Sequence, residues 1–356
     1  MSTDLYTFPV TKTSDSKIKY FDWDHLDFGK NFSDHMFLME YKDGAWSQGE
    51  IVPFANLTMH PAMSAIHYGQ SIFEGLKANR TVNNEISIFR PDMNAKRFNE
   101  SAERMCMPTI PEDLFVEAIR QLVALDDEWV TFREGHSLYI RPFMYATDEL
   151  VGIRPSRTYK FLIITTPVGH YYSEPVNVKI EKSYTRAASG GVGRAKAAGN
   201  YAASMYPAMQ AQKEGFHQLV WTDAAEHKYI EESGTMNIVF QIGDKLITPD
   251  ENHDTILRGI TKRSVFEIAE KWGVEVEERM ITVAEIIEAA KNGSLKDAFG
   301  AGTAATIAPI AMIGYEDEKY VLPPVEERLL SNKIKNYLGD LKTGRIADEF
   351  GWNLLV

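Results

Sequence analysis

Lys196 stands in a run of glycine and alanine, GGVGRAKAAGNY, from Gly190 to Tyr201. A lysine amine has an ordinary pKa of about 10.4, so it turns nucleophilic only where burial or neighbouring positive charge removes its proton. The small residues around Lys196 let a flat ring approach the backbone, and Arg194 brings a positive charge nearby. Two other readings compete: a backbone cradle for phosphate, or a surface loop with a solvated lysine. The phosphate templates do not fit. GGVGRAKAAG lacks the third glycine of GxGxxG, and Arg194 and Ala195 precede Lys196, which breaks the GxxxxGK pattern. The loop alone leaves covalent chemistry and a solvated lysine both open.

Downstream, EESGTMNI opens with the paired acids Glu231 and Glu232, LRGITKRS joins a tight glycine turn to a helix start, and FGAGTAATIAP makes a second glycine turn. A helix that starts after such a turn offers phosphate its backbone N–H groups and the positive end of its dipole. On local pattern alone, Glu231 reads as an exposed strand-end acid and GAGTAA as a plain turn.

The elements that must hold these residues are mixed. MFLMEYKDG reads as a strand. In RPDMNAKRFNESAERMCMP, Asp92 caps a helix whose Met93, Phe98, Ala102 and Met105 share a face, Pro108 ends it, and Arg97 reads as a solvated charge. PEDLFVEAIRQLVALDDEW repeats the pattern, with Pro111 in the first turn and Leu114, Ala118, Leu122 and Leu125 at helical spacing. SLYIRPFMYA and KFLIITTPV read as strands, and GHYYSEPV as a linker. Beyond it, VNVKIEKSY and QLVWTD read as strands and MNIVFQIGDKLITP as a hairpin. YAASMYPAMQAQKEG and ITKRSVFEIAEKWG read as helices closed by Gly215 and Gly273. The fold class is α/β in the sense of mixed α and β, with an alternation too irregular for a doubly wound sheet.

A chain of 356 residues exceeds what one hydrophobic core usually supports, so two domains are expected. The boundaries read as a small N-terminal domain over 1–167, an interdomain loop over 168–178 and a large C-terminal domain over 179–356 that carries Lys196. A net charge of −12 with no long basic run argues against nucleic acid and anionic membrane as partners, and for small molecules. Cys106 is the only cysteine, so an intrachain disulfide or a CxxC pair is impossible, which suits a reducing cytoplasm. The N-terminal stretch has no basic region followed by an apolar core, so no secretory signal is expected. Phe299–Tyr315, a charge-free apolar stretch, is broken by Gly, Thr and Pro and falls short of the roughly 20 apolar residues of a membrane span. No metal site is expected.

In order, GGVGRAKAAGNY, EESGTMNI, LRGITKRS and FGAGTAATIAP resemble the branched-chain amino-acid aminotransferases, class IV enzymes of pyridoxal-phosphate fold type IV. DFGKNFSDHM, NLTMHPAMSAIHYGQSIFEGLKA, IFRPDMNAKRFNESAERMCMP and LYIRP carry the same resemblance through the first half, so that it runs from about Phe21 to Val356. It implies a two-domain, D-amino-acid aminotransferase-like fold with pyridoxal 5'-phosphate as cofactor. By this resemblance Lys196 holds the cofactor covalently, and its freed amine then moves the substrate's Cα proton. Tyr201 meets the ring's phenolic oxygen, and Glu232, chosen over Glu231 by its register against GTMN, meets the ring nitrogen. Thr235 and Met236 wall the ring. The amides of Ile260 and Thr261, Arg97 and the Thr303 hydroxyl take the phosphate, and the Ala304 amide beside Thr303 takes the substrate carboxylate. Phe28, Tyr68, Phe73, Tyr139 and Tyr171 form an apolar side-chain pocket. Arg141 meets the second carboxylate of glutamate, whose burial alone would cost several kcal/mol.

The activity so implied is reversible transamination of L-leucine, L-isoleucine and L-valine with 2-oxoglutarate, in a homodimer. A D-amino-acid aminotransferase or an aminodeoxychorismate lyase of the same fold would use the same lysine and ring-nitrogen carboxylate. A non-catalytic ligand-binding protein is the rival of a different class, and it would purify colourless. Some vertebrate members carry a CxxC pair after the GAGTAA turn; this chain has Ala305 and Ala308 there and lacks that thiol control.

Overall fold

The computed structural model describes residues 6–169, 172 and 174–356. Two compact units divide the chain: Met1–Tyr171 with Ala195–Ala198 and Asp340–Val356, and Tyr172–Arg194 with Gly199–Gly339. The first unit holds strands β1 (His35–Lys42), β2 (Ala45–Trp46), β3 (Glu50–Pro53), β4 (Ser71–Phe73), β5 (Leu76–Arg80), β6 (Ile86–Phe89), β7 (Ser137–Ala146) and β8 (Tyr159–Val168). Its helices are α1 (Ser64–Tyr68), α2 (Pro91–Arg104) and α3 (Glu112–Leu125). The strands run in the order β6-β5-β7-β8-β1-β2, with β3 on β1, β4 on β7 and all of these pairings antiparallel.

Strand alternation sorts the two faces of this sheet. Leu76, Ala78, Leu138 and Ile140 point to one face and join Phe98 and Ala102 of α2 and Phe115, Ala118 and Leu122 of α3 in the core. Lys77 and Tyr139, paired across β5 and β7, stand on the other face together with Arg141. The helix α2 begins at Pro91 and not from an Asp92 cap, because the fixed φ of proline suits the first helical position. Arg90 precedes it at φ 48°, and Asp92 falls in the first turn. Pro111 stands just ahead of α3. One side of α2 buries Ala95, Phe98 and Ala102, and Asn94, Arg97 and Ser101 are buried as well, so Arg97 is not the solvated charge its helix pattern suggests.

The second unit contains β9 (Val176–Ile180), α4 (Ala198–Lys213), β10 (Gln218–Thr222), β11 (Ile230–Ser233), β12 (Met236–Ile242), β13 (Lys245–Thr248) and α5 (Ile260–Lys271). It continues through β14 (Val276–Glu278), α6 (Val283–Lys291), β15 (Leu295–Gly302), β16 (Thr306–Tyr315), β17 (Glu318–Val321) and most of α7 (Leu329–Lys342). The order is β11-β10-β9-β16-β15-β12-β13-β14, with β17 on β16. Because β11 also pairs β12, the strands from β11 round to β12 close on themselves. Parallel pairs (β9 with β10 and β16, β13 with β14) mix with antiparallel ones, so this is not a doubly wound sheet. Val178, Val220, Ile238, Phe240 and Ile310 fill the core with Ile286 of α6.

The last strand, β18 (Asn353–Leu355), pairs antiparallel with β6, setting Asn353 against Phe89. Asp340–Val356 therefore belongs to the first unit, as does Ala195–Ala198, whereas the sequence reading ran the C-terminal domain unbroken over 179–356. The partner of a three-residue strand leaves no mark in the local sequence. No helix among the described residues is long and apolar enough to cross a membrane.

Candidate active site

Lys196 is mounted on β4. Its backbone C=O accepts the Phe73 N–H at 3.1 Å, its N–H donates to Ser101 Oγ of α2 at 3.0 Å, and Ala197 bridges Ile72. A run of glycine and alanine has little order of its own, so these bonds fix where the amine stands. Lys196 Nζ lies 4.8 Å from the centre of the Phe73 ring. The Arg141 guanidinium lies 4.6 Å from the same ring, and its Nη2 donates to Tyr139 Oη at 3.0 Å. Phe28 packs edge-on against Tyr139 at 5.2 Å. A Cβ on Gly75 would fall 2.0 Å from Tyr139 Oη, so this tyrosine position requires a glycine opposite it. Tyr68 ends α1 and is 40% exposed; Tyr171 lies outside the described residues.

Directly after Phe73, Glu74 is fully buried. Its carboxylate accepts Arg97 Nε at Oε1 (2.7 Å), and Arg97 Nη2 (2.8 Å) and Asn94 Nδ2 (2.7 Å) at Oε2. Burial pushes the Glu74 carboxyl up, but the charges of Arg97 and then Lys196, with the hydrogen bonds, hold it below the ordinary glutamate value. Arg97 thus has a built-in counter-charge. Sequence reasoning passed over Glu74 and Ser101. The available signal was an acid inside the otherwise apolar SIFEGL, where a buried charge must find a partner.

In the second unit, Glu232 and Tyr201 line one pocket with Arg186, Asn200, Ser204, Gly234, Thr235 and Leu257. Glu232 Oε1 accepts the Leu257 N–H at 2.6 Å, and Asn237, its partner across β11 and β12, donates Nδ2 to the Leu257 C=O at 2.9 Å. The hairpin thereby grips Leu257 on both sides, just ahead of Gly259 and the start of α5. At Gly259 a Cβ would lie 1.7 Å from Asn237 Oδ1. Ile260 and Thr261 open α5, where backbone amides lack intrahelical acceptors. The Glu251 carboxylate accepts the Gly259 N–H at 3.3 Å just ahead of them, and its charge is met by Lys262 at 2.7 Å and Arg263 at 3.4 Å. Thr303 and Ala304 occupy the turn between β15 and β16. Glu231, next to Glu232, has its carboxyl raised chiefly by burial. Arg194 stands 3.9 Å from Asp254, a carboxylate that offsets the charge expected to act on Lys196.

These residues fit a phosphorylated pyridine ring: Glu232 for a ring nitrogen, the Tyr201 hydroxyl for a ring oxygen, and the α5 amides for a phosphate. A sequence model of the family "Amino-transferase class IV" matches residues 71–313. The chain belongs to that family. This class IV aminotransferase is 44% identical over 354 residues to "Branched-chain-amino-acid aminotransferase 2" of Bacillus subtilis (strain 168), covering 98% of this chain and 97% of the relative. The crystal structure of an Escherichia coli branched-chain amino acid aminotransferase superposes on it with a TM-score of 0.73 at 25% identity, covering 90% of this chain and 98% of that one. The branched-chain amino acid aminotransferase from Thermobaculum terrenum in its PLP-form superposes with a TM-score of 0.72 at 25% identity, covering 90% and 97% of the respective chains. The aminotransferase has the two-unit, mixed α/β fold of type IV and uses pyridoxal 5'-phosphate.

Proposed function

We propose that this aminotransferase exchanges the amino group between L-leucine, L-isoleucine or L-valine and 2-oxoglutarate, reversibly, with Lys196 as its catalytic amine. The observation that carries the reading is the Phe73 ring, which lies within 5 Å of both the Lys196 amine and the Arg141 guanidinium. An apolar side chain and a second carboxylate each find their complement close to the same amine. Arg141 Nε is buried without a hydrogen-bond partner among the described residues, which supports a role in receiving a carboxylate.

Pyridoxal phosphate, when bound, takes up the amino group and withdraws electrons from the substrate Cα. The chain's own residues do the rest. Lys196 anchors the cofactor at rest and, once released, holds and moves the Cα proton. Glu232 keeps the ring nitrogen protonated, Tyr201 donates to the ring oxygen, and Thr235 walls the ring. Ile260, Thr261, Thr303 and Arg97 hold the phosphate. Phe28, Tyr68, Phe73 and Tyr139 enclose the branched side chain, and Thr303 and Ala304 orient the substrate carboxylate.

The working form is a homodimer in the cytoplasm. Exposed apolar side chains support a second copy as partner: Val151 (68%) and Ile153 (92%) in the first unit, and Met205 (67%) and Tyr206 (54%) on α4. The test is a kinetic panel of L-leucine, L-isoleucine, L-valine, D-alanine and aminodeoxychorismate on cofactor-loaded protein, with Lys196→Ala as control and light scattering for the dimer. Turnover of the branched-chain L-amino acids alone, lost in K196A, is the expected result. Normal turnover by K196A, or D-alanine outrunning L-leucine, would overturn the reading.

A further inference from the structure

Arg186 has none of the roles above, yet it ties together three segments of the second unit. Its Nε stands 3.2 Å from Glu232 Oε2, with the two side chains 9% and 4% exposed. Its Nη2 donates to the backbone C=O of Gly193 at 3.1 Å and to that of Thr255. Gly193 lies in the loop that leads to Lys196, and Thr255 just precedes the Leu257 peptide that Glu232 grips. These two loops run so close that a Cβ on Gly193 would sit 2.8 Å from the Thr255 carbonyl oxygen. The charge of Arg186 also reaches Glu231, which lies next to Glu232.

We propose that Arg186 is a positioning residue for the transamination: it holds Glu232 ionised and aimed at the pyridine nitrogen, and its positive charge sets the electrostatic balance of that pocket. The inference rests on the Glu232 role proposed above. A guanidinium in contact with a carboxylate favours the ionised form, and only an ionised Glu232 keeps the ring nitrogen protonated. Because Arg186 also offsets part of the carboxylate charge, its removal makes protons leave the pocket less readily and makes the site less welcoming to an anionic cofactor. A brace that acts only through Gly193 and Thr255 would do neither.

R186K and R186Q separate the two functions, since lysine keeps the charge and gives up the fork whereas glutamine gives up the charge. Each variant is loaded with pyridoxal phosphate and read by the visible absorption of the bound cofactor across pH, and by cofactor affinity from fluorescence quenching. The carboxylates around Arg186 are Glu232, in contact with it, Glu231, which feels its charge, and Asp223, whose charge also reaches Glu231. R186Q is expected to raise the apparent pKa of the absorption band by about one unit and to weaken cofactor binding about tenfold, while R186K stays within about twofold of the parent protein. Unchanged band and affinity in R186Q overturn the proposal, as does an R186K shift equal to that of R186Q. Where R186Q does not fold, R186K decides alone: near-parental values support the charge role and a full shift overturns it. If the parent protein itself acquires no coloured band with pyridoxal phosphate, the Glu232 reading fails before any variant is compared.

Discussion

Glu74 and Arg97 form a two-pronged ion pair inside the first unit, Nε to Oε1 at 2.7 Å and Nη2 to Oε2 at 2.8 Å, with their side chains 0% and 9% exposed. The strand that carries Phe73 and anchors Lys196 runs directly into this pair, so one short segment fixes both the amine and the counter-charge of Arg97, the arginine proposed to hold the phosphate. Removing one member leaves the other's charge buried, at a cost of about 3–5 kcal/mol. E74A and R97M are each expected to lower the unfolding free energy by about that amount, and the double variant by clearly less than the sum. Urea titrations of the four proteins give the coupling, and strictly additive losses would refute it.

The same pair sets an acid limit. The folded Glu74 carboxyl is held below its ordinary value, so its contribution is present above the unfolded pKa of 4.5 and disappears as pH falls through the lower folded value. The stability advantage of the parent protein over E74Q is expected to shrink below about pH 4.5. A constant advantage from pH 7 to pH 3 in thermal melts would count against it.

Ser101 Oγ is the acceptor for the Lys196 N–H, and Ser101 is 1% exposed. S101A removes that acceptor and frees the lysine segment to drift. A misplacement on the order of 1 Å costs up to about a hundredfold in rate. S101A is therefore expected to reduce kcat by about ten- to a hundredfold with KM little changed, and S101T to recover part of the loss. If S101A raised KM and spared kcat, the positioning account would not survive.

Burial, with some help from the charge of Lys77, takes the Lys342 amine down to about 7, and burial takes Lys77 down to about 8. Lys342 Nζ lies 4.6 Å from the Phe89 ring centre. Unfolded, both amines return to about 10.5, so between about pH 7 and 10.5 the unfolded chain binds more protons and stability from these groups rises with pH. K342M should raise Tm most below about pH 7, with the gain fading toward pH 10. A gain independent of pH would assign the effect to packing instead.

Gly259 leaves no room for a methyl group, whose carbon would meet Asn237 Oδ1 at 1.7 Å. G259A is expected to break the Asn237 to Leu257 hydrogen bond, displace the start of α5, and weaken cofactor binding by about tenfold or more. Equilibrium dialysis with pyridoxal phosphate measures this. Parental affinity in G259A would separate the α5 start from cofactor binding.

Much of this was legible in the sequence because it is local. The glycine loop, the β12–β13 hairpin and the amphipathic faces of α2 and α3 are written in spacing and turn residues, and long motifs carried the family resemblance. Burial of Asn94, Arg97 and Ser101 was not legible, since polar residues on a helix read as a wet face until Glu74 and Lys196 supply their partners. Arg186 was equally silent. Its partners are two backbone carbonyls and a carboxylate 46 positions along the chain, and nothing in its neighbours encodes contacts at that range.

Because β18 completes the edge of the first sheet, a strand made only after the whole second unit is needed by the unit whose other strands are made first. During synthesis the usual order, in which N-terminal domains finish first, is reversed. The second unit can close while the first sheet still waits for its final strand, so premature termination near residue 350 would release chains with a finished second unit and an open β6 edge.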